Sequence, residues 1–201
     1  MSEFSAPDTP GVDAAPRGAG GPPSIVVTAL LFYGVVAALA LTIAWLRGTS
    51  LGFAAADSRP VAWSADVGLG ALCAGVTVAL SELMTRFTRW GAALSEALAQ
   101  QIGPLSHRAC WGLALVSGVA EEALFRGALQ PWLGFVAASL LFGLAHFVPR
   151  RELWPWTGFA VLAGFGLGAL FAATGNLVAP VVAHIGVNGI NLRRLTRDLG
   201  A

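Results

Sequence analysis

The stretch Ser117-Gly118-Val119-Ala120-Glu121-Glu122-Ala123-Leu124-Phe125-Arg126-Gly127 sets two carboxylates and a guanidinium inside a run otherwise built of small and apolar residues. Holding such a side chain at membrane depth costs roughly 2.5–3.5 kcal/mol on insertion scales for Asp, Lys or Arg. The sequence stays apolar on both sides, which favours a polar site inside a spanning helix over charges snorkelling from a helix end. At about 3.6 residues per turn, Glu122 and Arg126 share a face and an ion pair between them is expected. Glu121 points about 100° away from Glu122. One carboxylate is then kept ionised by arginine, and the other is free to face a cavity and act on water.

Working outward, two further apolar runs carry polar residues of the same sort. Phe142-Gly143-Leu144-Ala145-His146 ends in an imidazole. In His184-Ile185-Gly186-Val187-Asn188-Gly189-Ile190-Asn191, residues His184, Asn188 and Asn191 fall at i, i+4 and i+7, a polar stripe on an otherwise apolar helix. Such a stripe faces protein or water rather than lipid; its bland reading is a polar seam joining helices. Three segments thus supply carboxylate, imidazole, and imidazole plus amide, a set sufficient for acid–base hydrolysis.

Composition agrees with a membrane setting. The 201-residue chain is 56% hydrophobic and 11% charged, with mean hydropathy +0.70; soluble domains carry about 25% charged residues. The expected fold is all-α, a polytopic integral membrane bundle of about six transmembrane helices plus one interfacial amphipathic helix. Spans are expected near Ser24–Leu46, Trp63–Met84, His107–Leu129, Leu133–Val148, Trp154–Ala173 and Leu177–Leu192. Within 85–104, Phe87, Trp90, Leu94, Leu98 and Ile102 recur at helical spacing, with Arg86, Arg89, Glu96 and Gln100 on other faces, as suits a helix lying on the membrane. Residues 1–23, with Pro7, Pro10, Pro16, Pro22 and Pro23 among Gly and Ala, read as a disordered cytoplasmic tail before an integral domain over 24–201.

The chain has no lysine, so arginine sets orientation. Arg17, Arg86, Arg89, Arg108, Arg150, Arg151, Arg193, Arg194 and Arg197 collect on the side shared by both termini, against Arg47 and Arg59 opposite. This bias predicts a multi-pass plasma-membrane protein with both termini cytoplasmic. No basic patch interleaved with aromatics supports nucleic-acid binding. Cys73 and Cys110, far apart and in apolar segments, read as packing residues. The Gly-x-x-x-Gly pair Gly164 and Gly168 reads as tight helix packing within the chain rather than as a dimer contact. Partners are therefore the lipid bilayer and a peptide or protein substrate, with oligomeric state open.

Two mechanisms fit the residues. Without metal, Glu121 is the general base toward water, His146 assists, and His184 with Asn188 donates to the developing oxyanion. With metal, Glu121, His146 and His184 bind zinc and leave a position open for water. Spacing does not choose between them, so the cofactor is none or zinc. The Glu-Glu-x-x-x-Arg, Phe-x-x-x-His and His-x-x-x-Asn elements, in this order on successive spans, resemble the CPBP family of intramembrane proteases. That family includes type II CAAX prenyl endopeptidases and bacterial Abi-like proteins of bacteriocin processing or self-immunity. The resemblance covers roughly 105–195, the expected catalytic core. It implies an all-helical endopeptidase opening to the cytosolic side, with Glu121 as catalytic carboxylate, His146, His184 and Asn188 completing the site, and Glu122 and Arg126 in support.

Two other classes compete with a peptidase that cuts near the cytoplasmic membrane face: a non-catalytic scaffold or immunity protein, and a proton-coupled transporter. One expectation strains the set. Counted from the flanking arginines, Glu121 lies about 18 Å deep, His184 about 13 Å and His146 about 6 Å, so tilted helices or a thinned bilayer at the short fourth span must bring them level.

Overall fold

A computed structural model describes residues 25–49, 51 and 61–197; the expected tail over 1–23 lies outside them. Among the described residues the regular structure is helical, with no strand. The chain is a helical membrane protein. It runs through α1 (Ile25–Leu46), α2 (Trp63–Phe87), α3 (Arg89–Ile102) and α4 (His107–Glu122), then a π-helical segment (Ala123–Leu129). After these come α5 (Gln130–Leu133), α6 (Phe135–Ala145), a 3₁₀ turn (Arg151–Leu153), α7 (Trp154–Thr174) and α8 (Val178–Thr196). By length and composition, Ile25–Leu46, Trp63–Phe87 and Arg151–Thr174 are apolar and long enough to cross a membrane.

The expected fourth span is shorter than its sequence suggests. Gly134, at φ 87°, separates α5 from α6, and α6 stops at Ala145 after 11 residues. At 1.5 Å per residue that is about 16 Å, half of a hydrocarbon core of about 30 Å. The helix expected within 85–104 forms as α3, entered through Thr88, whose Oγ1 accepts from the Gly91 amide at 3.0 Å. Ser106 starts α4 in the same way, accepting from Ala109 at 3.2 Å. Left-handed Gly175 ends α7.

The two ends of the bundle differ in chemistry. At one end Arg150 donates to Gln101 at 3.0 Å, Arg193 meets His107 at 3.4 Å, and Arg194 pairs with Glu82. The start of α4, the ends of α2 and α8 and the α6–α7 connection therefore share this arginine-rich end. At the other, buried Asp66 near the start of α2 accepts from Asn176 Nδ2 at 2.8 Å and from the Ala62 amide at 3.1 Å, and Arg47 lies over the Trp132 ring. Successive long helices alternate in direction between these ends.

Lipid is as apolar as leucine, so close packing and small residues hold membrane helices together. Helix α8 packs on α2, α4 and α7, and α6 packs on α7. A Cβ added at Gly70 of α2 would sit 2.5 Å from the Ala179 carbonyl oxygen, and one at Gly164 of α7 would sit 2.6 Å from that of Ser139. Gly164 and Gly168 both face α6 and its neighbours, contacts made within the chain. Much of α1 is turned outward, with Leu31, Phe32, Val35 and Leu41 exposed. Its inner face joins the core of Ala40, Leu124, Phe125, Phe142 and Ala160. The cysteines are free thiols.

Candidate active site

The polar residues singled out in the sequence converge where α4, α6 and α8 meet. Glu122 is fully enclosed, and its Oε1 accepts from Arg126 Nη1 at 3.0 Å and lies 2.6 Å from His184 Nδ1. The expected Glu122–Arg126 pair is present, and the same oxygen also holds His184. Arg126 is equally enclosed; its Nη2 donates to the Gly164 carbonyl at 2.9 Å, and its guanidinium lies 4.4 Å from the centre of the Phe142 ring. Such a buried ion survives only when its donors are used and its charge is matched. Here two helices and one carboxylate meet that need.

The π segment from Ala123 to Leu129 begins directly after the two glutamates. π turns within helices are rare and are enriched at functional sites. This one carries Arg126 while α4 delivers Glu121 and Glu122 from ordinary helical backbone.

Glu121 has a different environment. It is buried, its Oε2 has no hydrogen-bond partner, and that atom lies 3.6 Å from His146 Nε2. His146 follows the last residue of α6, and its Nδ1 is 2.8 Å from the Phe142 carbonyl oxygen. A carbonyl only accepts, so Nδ1 carries the proton of the neutral ring and Nε2 presents a lone pair. Two acceptors therefore face each other at a distance too long for a direct hydrogen bond. The depth mismatch inferred from arginine counting is absent, because α6 stops short and irregular backbone at 146–150 leads on to the arginine-rich end. Such backbone is tolerated at membrane depth where it is enclosed by protein or borders a polar cavity.

Phe142 is the common wall of the site. Its ring centre lies 4.6 Å from that of His146 and 5.8 Å from that of His184, besides its contact with Arg126. A small open cleft of about 40 Å³ is bordered by Phe142, His146, Trp156, Phe159, His184 and Asn188. Glu121 does not border this cleft; His146, which does, lies 3.6 Å from its Oε2. Asn188 donates through Nδ2 to Ser117 Oγ at 3.0 Å, one helical turn before Glu121. Among the described residues no three His, Cys, Asp or Glu side chains are arranged to hold a metal ion. Glu121, His146 and His184 thus do not form the ligand set that the zinc alternative requires; His184 Nδ1 is turned to Glu122 instead.

Several contributors carry no signal in the local sequence. Trp156 and Phe159 of α7 supply the apolar wall. Gly164 supplies an acceptor for Arg126.

Residues 105–190 match the model of the Type II CAAX prenyl endopeptidase Rce1-like family, the resemblance carried by the Glu-Glu-x-x-x-Arg, Phe-x-x-x-His and His-x-x-x-Asn elements. The segment runs from the start of α4 into α8 and contains every site residue named above. The chain is also 40% identical over 80 residues to the uncharacterized protein YpbD of Bacillus subtilis (strain 168), covering 39% of this chain and 41% of that protein. The chain thus spans well under half the length of that relative. No solved structure matches it.

Proposed function

We propose, starting from the match of residues 105–190 to a CAAX-type endopeptidase family, that the chain is an intramembrane endopeptidase acting on a peptide bond near the cytoplasmic membrane face. The observation that carries this reading is Glu121 Oε2, buried and without a donor, opposite His146 Nε2 at 3.6 Å. A water beside both atoms gives one proton to the carboxylate as its oxygen attacks the substrate carbonyl. The C–N bond then breaks, and the proton held between Glu121 and His146 passes to the leaving amine. One water and one peptide bond become a carboxylate and a protonated amine.

The oxyanion that forms transiently needs donors already in place. Asn188 Nδ2 carries a second N–H besides the one given to Ser117, and it borders the cleft. With Nδ1–H of His184 on Glu122, a protonated ring is charge-matched, and its Nε2–H is the second donor. Glu122 and Arg126 hold that histidine without touching substrate. The arginine bias at one end of the bundle supports a multi-pass plasma-membrane arrangement with both termini and the site's opening cytoplasmic.

The test uses the full chain in lipid nanodiscs with a library of membrane-proximal peptides in ¹⁸O-labelled water. Each new carboxy terminus should carry one ¹⁸O. Glu121→Gln, His146→Ala, His184→Ala and Asn188→Ala should each lose about a hundredfold or more in turnover with the fold retained. Turnover should persist in chelator, since the described residues offer no three-residue metal set. Equal behaviour of wild type and all four variants would overturn the enzyme reading and leave a scaffold, an immunity protein or a proton-coupled transporter.

A further inference from the structure

His146 sits where α6 has run out, and its backbone is pinned there from both sides. The amides of His146 and Phe147 bond to the carbonyls of Gly143 and Leu144 at 3.1 and 3.0 Å, an i to i−3 tightening that ends the helix. A carbonyl at a helix end has no partner within its own helix. That of His146 accepts from Thr157 Oγ1 at 3.4 Å, across to the first turn of α7. The imidazole has its Nδ1–H on the Phe142 carbonyl, a single bond about which the ring could still rock. Two aromatic side chains take up that freedom. The Phe142 ring lies tilted against the imidazole with centres 4.6 Å apart, and Trp156 meets it edge to face at 5.9 Å and 65°. Trp156 is itself stacked on Phe159 at 5.9 Å. A row of four rings, Phe142, His146, Trp156 and Phe159, thus runs from α6 to α7. Trp154, two residues earlier and about 200° round the same helix, is exposed and sits where an interfacial tryptophan is expected. Half-buried Trp156 is turned inward.

We propose that Trp156 is a positioning residue for His146, with Thr157 beside it as the backbone anchor. The indole keeps the imidazole from swinging off the Phe142 carbonyl, so Nε2 stays aimed at Glu121 Oε2, 3.6 Å away. A ring released from that carbonyl can carry its proton on Nε2 instead, and the lone pair that meets the water is then lost. The first turn of α7 thereby selects the tautomer as well as the place of the imidazole. Displacing a reacting group by about 1 Å can cost about a hundredfold in rate. Trp156 also borders the cleft, and the two roles separate in kinetics: a wall for bound peptide acts on KM, whereas a hold on His146 acts on kcat. This inference rests on the endopeptidase reading for its kinetic consequence but not for the hold on the ring.

The hold is read without turnover by ¹⁵N spectroscopy of the full chain in nanodiscs, labelled in its 3 histidine rings. The signals lost in His146→Ala belong to His146. Well above the ordinary histidine pKa of about 6.5, the wild type should show one tautomer, with the proton on Nδ1. Trp156→Leu should show both tautomers, while Trp156→Phe, which restores a ring, and Trp154→Leu should keep the wild-type pattern. In the cleavage assay Trp156→Leu should lower kcat about ten- to a hundredfold with KM held within about threefold, and Trp156→Phe should recover most of that loss. Thr157→Val is nearly isosteric and keeps the test open should the leucine variant not fold. It too should admit the second tautomer, and it should lower kcat about three- to tenfold. A single tautomer in Trp156→Leu, a loss there confined to KM, or wild-type behaviour of Thr157→Val would overturn the proposal. If the wild type cleaves no peptide, the hydrolase reading fails by itself, and the tautomer still decides whether Trp156 holds His146.

Discussion

Replacing Arg126 with methionine removes the permanent positive charge paired with Glu122 and leaves that carboxylate with His184 alone. Both side chains are about 1% exposed or less, and the pair is joined at 3.0 Å. Breaking a buried ion pair from one side costs about 3–5 kcal/mol, since the other charge stays enclosed without its match. The two remaining contacts are partly made good. Ser139 Oγ, 2.8 Å from the Phe135 carbonyl and 3.2 Å from that of Gly164, can turn its one proton to the latter, and a thioether over the Phe142 ring recovers about 0.3–1.5 kcal/mol of what the guanidinium gave there. The pair term therefore dominates, and the folded-to-unfolded ratio should fall by about two to three and a half powers of ten. Denaturant titration of the full chain in detergent micelles reads this directly. The double variant Arg126→Met with Glu122→Gln should be more stable than Arg126→Met alone, because it leaves no enclosed unmatched charge. A single variant within about 1 kcal/mol of wild type, or a double variant no better than the single, would refute this account of the pair.

Two further substitutions test the scaffold. Gly164→Ala places a Cβ against the Ser139 carbonyl and displaces the acceptor used by Arg126, so stability should fall by about 1–3 kcal/mol and turnover should fall with it; micelle unfolding and peptide cleavage check both. Asp66→Ala removes the acceptor shared by Asn176 and Ala62 at the end away from the arginines, at a cost of about 1–3 kcal/mol. Its kcat should equal the wild-type value, because no reacting group lies at that end.

Much of this site is legible in the sequence because each element is local. Glu122 and Arg126 are one turn apart, as are His184 and Asn188, and a charge or imidazole in an apolar run marks itself. Arginine placement gave the alternation of the helices, which the contacts of Arg150, Arg193 and Arg194 reproduce. The unread parts depend on partners distant along the chain. Glu122 takes both Arg126 and His184, 62 residues away, and Arg126 reaches the Gly164 carbonyl, 38 residues away. The π segment at Ala123–Leu129 has an ordinary helical composition, so nothing in the local sequence marks it. The short length of α6 is set by Gly134 before it and the turn at His146 after it, and an apolar run without charges hides both.

The account stands on a division of labour between two adjacent carboxylates, and Glu121→Gln and Glu122→Gln measured side by side test it most directly. Turnover and unfolding midpoint are read for both in the same nanodiscs. Glu121→Gln should lose at least about a hundredfold in turnover with its midpoint held, since Oε2 has no hydrogen-bond partner to lose. Glu122→Gln should lose stability first, by leaving Arg126 enclosed without its counter-charge. The reverse pattern, an active Glu121→Gln enzyme beside a stable but inactive Glu122→Gln one, would contradict the assignment of water activation to Glu121.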